Sequence, residues 1–281
     1  MLEGKGQVLQ PRLFRTRKMA RRAAFLKPDG TRLQINMEDF LGSGTNAIVF
    51  RDGPHALKIP KAYDPESLPE EERDDQEYIN DGNIQMLELE KAVYRRVGYW
   101  EGIAECIDVS EAGIRLAVYK QGDLENYTNT HTEVNSPQKA KWILSVVQTI
   151  FHLHSLKVLV DDLALRNILI GDDMSLKFID FGSCVVFPLE ANINTVSEEG
   201  LTAQADIFHL GCVIYSIANW KKFERNLFHS DWVRPLLRDL PNLDGLICGD
   251  VIQRCWLGLY SSMEQLHCEI KESLEQILRQ N

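Results

Sequence analysis

The stretch LVDDLALRNILIGDDMSLKFIDFG, residues 159–182, constrains this 281-residue chain more than any other. Asp162 is followed five residues later by Asn167 and 18 residues later by Asp180. Between them, ILI and LKFI flank GDDMS and read as a β-hairpin at 168–179. A hairpin returns the chain to its starting point, so the three side chains converge. Amide and carboxylate oxygens suit Mg²⁺, a hard cation, and a further carboxylate can orient a hydroxyl and take its proton. Phosphoryl transfer needs both kinds of group. Asp162 fits the second role, and Asn167 with Asp180 the first. Asp161 competes with Asp162 but lies six residues from Asn167.

Two upstream patterns matter only in company. LGSGTNAIVF places Leu41, Gly42, Ser43, Gly44, Ala47 and Val49 at a turn between strand-like segments. Glycines there let backbone N–H groups approach phosphate oxygens, although two glycines in a hairpin are as readily a plain turn. HALKIP then carries Ala56 and Lys58 on the next strand. A lone strand lysine is ordinarily a solvated edge residue. It gains interest from Glu90 in LELEKAVYRRV, because a Lys–Glu pair across strand and helix would aim the ammonium at phosphates. Glu88 competes, but Glu90 better shares a helix face with Met86, Val93 and Val97.

Around these patterns the chain divides into a β-rich half and a helical half. Residues 33–40, 41–51 and 55–59 read as strands, with Asp52-Gly53 as a tight-hairpin signal. Residues 61–83 hold nine acids and two prolines and read as a solvated loop, with a helix following it. Residues 103–119 return to strand character. Asn135-Ser136-Pro137 supplies a cap and an early proline for a helix to about His154. From 203 onward the periodicity is helical, ending in an amphipathic run that reads as a terminal domain helix rather than a coiled coil.

The stretch 159–182 resembles the catalytic loop and metal-binding motif of the eukaryotic protein kinase-like superfamily, in its D-L-A-x-R-N form. The resemblance spans about residues 36–275. It implies an α+β, two-lobed fold, with a small β-rich lobe bearing one helix at about 33–119 and a larger, mainly helical lobe at about 123–281. It implies Asp162 as catalytic base, Asn167 and Asp180 as Mg²⁺ ligands, Lys58 and Glu90 as the ion pair, and Gly42–Val49 as the loop covering ATP. Protein substrates follow, with serine or threonine the expected acceptor. TAQADIFHLGCVIYSIANW resembles the buried kinase helix whose Asp, here Asp206, binds catalytic-loop amides. With VIQRCWLGLYSSMEQL it is most similar to the short kinase-like proteins of filamentous fungi.

Three departures set the chain apart. Val160 and Asp161 precede the base where most kinases have His-Arg or Tyr-Arg, and an Asp cannot pair with a phosphorylated residue. The segment from Gly182 to Asp206 lacks Ala-Pro-Glu, and CWLGLYSS lacks the arginine that would pair with that glutamate. Losing both partners avoids an unpaired buried charge. Ala164 stands where serine/threonine kinases have Lys, and Arg166 where tyrosine kinases place a cation. Arg166 reads equally as a group neutralising the γ-phosphate or as a solvated loop residue. A nucleotide-binding pseudokinase is therefore the second reading, and a small-molecule phosphotransferase the third.

Composition excludes other classes. The net charge of −10 comprises a basic head, with nine Lys or Arg against two acids in residues 1–32, and a remainder of −17. An acidic body argues against general nucleic-acid binding. No apolar run reaches the ~20 residues of a membrane span. The six cysteines are scattered and read as small buried residues in a reducing compartment, Cys184 included. His152, His154 and His209 read as helix or core residues. Residues 1–32 read as a disordered tail and the protein as cytoplasmic, although an Arg-rich, acid-poor head leaves mitochondrial targeting open.

Overall fold

A computed structural model describes residues 24–34, 36, 38–198, 200–225 and 234–279. Short β-branched runs separated by tight turns build an antiparallel sheet in the order β2 (Phe40–Ser43), β3 (Ala47–Asp52), β4 (His55–Pro60), β7 (Gly113–Leu116), β6 (Cys106–Ser110). Asp52 and His55 close a two-residue loop, with Gly53 at φ 61°, which a side chain would resist. The described residues of 33–39 do not form the expected strand before Phe40. Asn36 instead closes a turn, its carbonyl accepting from Asp39 N at 3.0 Å.

The loop expected at 61–83 is corrected by the fold. After β5 (Ala62–Tyr63) and a single 3₁₀ turn, Glu70 opens a 28-residue helix, α1 (Glu70–Val97). Glu70, Glu71 and Glu72 sit in its first turn, where the helix dipole favours acids. Its docking face is polar at this end: Asn80 Nδ2 donates to Tyr63 O at 2.7 Å, and Asn83 Nδ2 to Lys61 O at 2.8 Å. Amide side chains thus do what apolar ones usually do, and a search for apolar periodicity misses them. The tail boundary also moves. β1 (Phe25–Leu26) pairs with β5, and Arg32 meets Asp64 at 2.7 Å, so residues 24–32 join the folded part. The remainder of the expected tail lies outside the described residues.

The second lobe is helical. Asn135 caps α3 (Ser136–Ser155), accepting from Gln138 N at 2.9 Å. This helix packs between α4 (Ala203–Asn219) and α6 (Met263–Arg279), while α5 (Gly249–Leu257) packs on α4 and α2 (Leu124–Thr130) begins just after the lobe linker. Met263, Leu266, Ile270 and Leu274 bury one face of α6 in this core, as a domain helix. Helical periodicity from 203 onward overstates the outcome: the described parts of 220–248 hold only a 3₁₀ turn, Leu237–Asp239.

The core also carries the polar anchor of the site. Asp206, fully buried on α4, accepts from His154 Nε2 at 2.7 Å and from Val160 N at 2.9 Å. The missing late-lobe arginine has a substitute from elsewhere in the chain. Arg234 donates to Cys255 O and Trp256 O at the end of α5, at 3.2 and 3.1 Å, and to Gln204 O at 3.3 Å. Its acceptors are neutral oxygens, two of them carbonyls at the C-terminus of α5, so no glutamate is needed. Packing is tight here: a Cβ on Gly211 would lie 2.7 Å from Cys255 Cβ. Gly211→Ala should therefore destabilise the protein by roughly 1–3 kcal/mol in denaturant unfolding, and an unchanged midpoint would show that α4 and α5 can part freely.

Candidate functional site

The cleft between the lobes, about 690 Å³, is lined from the sheet side by β2, β3 and β4 and from below by the loop and hairpin of 161–182. Leu41, Gly42, Ser43, Gly44, Ala47, Val49, Ala56, Lys58, Glu90, Asp162, Arg166, Asn167 and Asp180 all face it. A Cβ on Gly42 would meet nothing within 4 Å, so packing within the protein does not require the glycine. Leu116, Ala117 and Leu169 add apolar walls that no motif announced. They are ordinary strand and linker residues, distinguished only by where the sheet and hairpin place them.

Lys58 is a buried charge at the back of the cleft. Its Nζ lies 2.6 Å from Glu90 Oε2 and 2.8 Å from Asp180 Oδ1, with Lys58 and Glu90 both buried. Burial works against the ammonium, but Glu90 and Asp180 outweigh it and hold its pKa above the usual lysine value. Glu88 lies on the exposed side and pairs with Lys91. Met86, read as part of an apolar face, is instead exposed, as is Leu89, and Leu87, Val93, Tyr94 and Val97 make the buried face.

Asp180 sits in the left-handed region at φ 66°, an arrangement costing about 1 kcal/mol or more for a non-glycine residue. Buried Phe181 holds the turn, packing edge-on to Tyr94 at 5.5 Å. Asn167 donates its amide hydrogens to Asp162 O at 2.9 Å and Asp162 Oδ2 at 2.8 Å. That orientation reserves the amide oxygen of Asn167, and Lys58 occupies only one oxygen of Asp180. Among the described residues no three His, Cys, Asp or Glu side chains form a metal cluster. One amide and one carboxylate oxygen nevertheless suit Mg²⁺, which takes few protein ligands and completes its shell with phosphate and water.

Beyond the site, β11 (Val185–Val186) pairs with β8 (Val158–Leu159), and Arg96 of α1 donates to Leu156 O and Phe187 O at 3.2 Å each. The segment after Gly182 is thus tied by neutral acceptors. Burial pushes the Cys184 thiol well above its usual pKa, which leaves it a packing residue. His209 lines the cleft, with burial pushing its pKa down to about 4, so it is neutral near pH 7.

This pairing of a sheet lobe with a helical lobe over a charged cleft is the protein kinase-like class of fold. Residues 84–231, more than half of the chain, match the protein kinase domain, and the chain belongs to that family. It is 25% identical over 187 residues to the serine/threonine-protein kinase PLK4 of Drosophila virilis, covering 61% of this chain and 23% of that protein. It is 24% identical over 264 residues to the tyrosine-protein kinase receptor svh-2 of Caenorhabditis elegans, covering 82% and 23%. A third relative, the serine/threonine-protein kinase cds1 of Schizosaccharomyces pombe, is 26% identical over 137 residues, covering 41% and 30%. The chain thus spans about a quarter of the length of such relatives. Among the described residues no helix is long and apolar enough to cross a membrane.

Asp161 gives a pH-dependent check. Burial, helped by the charges of Asp162 and Asp206, raises its pKa to about 6. A raised carboxyl pKa means that the folded state binds the proton more tightly, so stability is lost as pH rises from about 4 to about 6. Asp161→Asn should raise stability at pH 7.5 by about 1 kcal/mol, after allowing for solvent screening of a partly exposed group. The gain should shrink toward zero as the pH is lowered to 4. A gain independent of pH would rule out the charge as its cause.

Proposed function

We propose that this chain is an ATP-dependent protein kinase that transfers the γ-phosphoryl group of ATP to a protein hydroxyl, serine or threonine being the expected acceptor. The observation that carries this reading is the convergence of Lys58, Asp162, Asn167 and Asp180 on one cleft. Asp162 orients the acceptor hydroxyl and takes its proton as the new O–P bond forms and the bond to the ADP oxygen breaks. Lys58, kept charged and directed by Glu90, steadies the α- and β-phosphates. Asn167 and Asp180 would hold Mg²⁺, which when bound offsets phosphate charge. Gly42–Val49 covers the nucleotide, and Arg166 stands beside the base. The likeness to short kinase-like proteins of filamentous fungi rests on the two C-terminal stretches quoted above.

One observation favours a pseudokinase as the second reading. Both oxygens of Asp162 already accept hydrogen bonds, from Arg166 and Asn167. Asp161, in place of arginine, adds to it. The two readings part in an assay of γ-phosphoryl transfer with Mg-ATP, using Asp162→Ala as control. Transfer by the wild type and its loss in the variant are expected; equal activity in both, or none in either, would sink the enzyme reading. Lys58→Met should lower kcat/KM by at least ~10²-fold, because it removes preorganised charge from the phosphates. An unchanged rate would mean that the lysine does not serve the nucleotide.

A further inference from the structure

A carboxylate that no motif announces stands at the mouth of the cleft. Glu224 follows α4 and lines the cavity beside Asp162. Arg166 divides its two terminal nitrogens between these acids: Nη2 donates to Asp162 Oδ1 at 2.5 Å, and Nη1 to Glu224 Oε1 at 2.5 Å. Glu224 is held from behind by Lys222, whose Nζ lies 3.0 Å from Glu224 Oε2 and 2.8 Å from Glu125 Oε1 on α2. Alternating charges therefore run from the first turn of α2, just past the lobe linker, to Asp162.

The geometry of guanidinium gives this chain a purpose. A guanidinium facing a lone carboxylate tends to chelate it through two parallel N–H bonds. Asp162 Oδ2 already accepts from Asn167. A second bond from Arg166 would fill that oxygen, where the acceptor hydroxyl needs a vacant lone pair. We propose that Glu224 is a positioning residue for the phosphotransfer reading given above. By engaging Nη1 it restricts Arg166 to one bond on Asp162 and keeps Oδ2 open to the acceptor. The role is geometric. Each of these side chains is more than a third exposed, and exposed pairs contribute little to stability.

A double-mutant cycle of Glu224→Gln and Arg166→Lys tests this, because lysine is a point cation and cannot chelate. In the wild-type background Glu224→Gln should lower kcat by roughly tenfold, within the range of coupling between contacting charges, and leave KM for ATP and Tm unchanged. With Arg166→Lys the same change should cost less than about twofold, and Glu224→Asp should restore most of the rate. An equal cost in both backgrounds, or none in the first, would overturn the proposal. A crystal structure of Glu224→Gln reads the same point without turnover: both terminal nitrogens of Arg166 are expected on Asp162. An unmoved guanidinium would refute the positioning role. Absence of transfer by the wild type would count only against the kinase reading.

Discussion

The buried Lys58 ammonium is the interaction around which the rest is arranged. Stripped of water, it is tolerable only with two carboxylates in contact, and those come from α1 and from the turn after β10 (Leu176–Phe178). One charge thereby couples the sheet, the long helix and the proposed metal-binding turn. If α1 slid outward, Lys58 would be left against Asp180 alone and Glu90 would need another partner. Asp180 makes this contact from a left-handed backbone, with the neighbouring Phe181 buried against Tyr94.

A second buried acid performs the corresponding task below the cleft. Asp206 anchors the loop that begins at Val160 by accepting its amide, and His154 supplies the other donor. Together the two anchors hold Asp162 and Asp180 side by side at the open end of the hairpin β9 (Ile168–Ile170)–β10, where Ile168 pairs with Phe178. The outer supports have neutral acceptors. Arg96 ends on backbone carbonyls, and Arg234 on backbone carbonyls and the side-chain oxygen of Gln204.

Residues whose role depends on chemistry and short spacing were legible in the chain. The Asp162–Asn167–Asp180 interval, the glycine turn, the Asn135 cap and the hairpin at 168–179 all follow from local rules that act within a few residues. Glu90 over Glu88 was legible too, although by a partly faulty route: Met86 is exposed, and it is Val93 and Val97 that mark the buried face. The acidic stretch 61–83 was misread, since composition alone cannot tell a solvated loop from a helix that docks through asparagine amides. Glu224 and Arg234 gave no signal, because each acts through a partner far away in the chain.

Sequence by itself determined the lobe order and which motif residues meet in the cleft, Glu90, Asp162 and Asp180 among them. Those depend on residue type, hydrophobic period and turn geometry, all local properties. Tertiary structure decided which oxygen each donor takes, how Arg166 is shared between Asp162 and Glu224, and where Arg234 finds its carbonyls. Hydrogen-bond direction and ion-pair choice depend on ångström-scale distances between segments that only the packed core brings together.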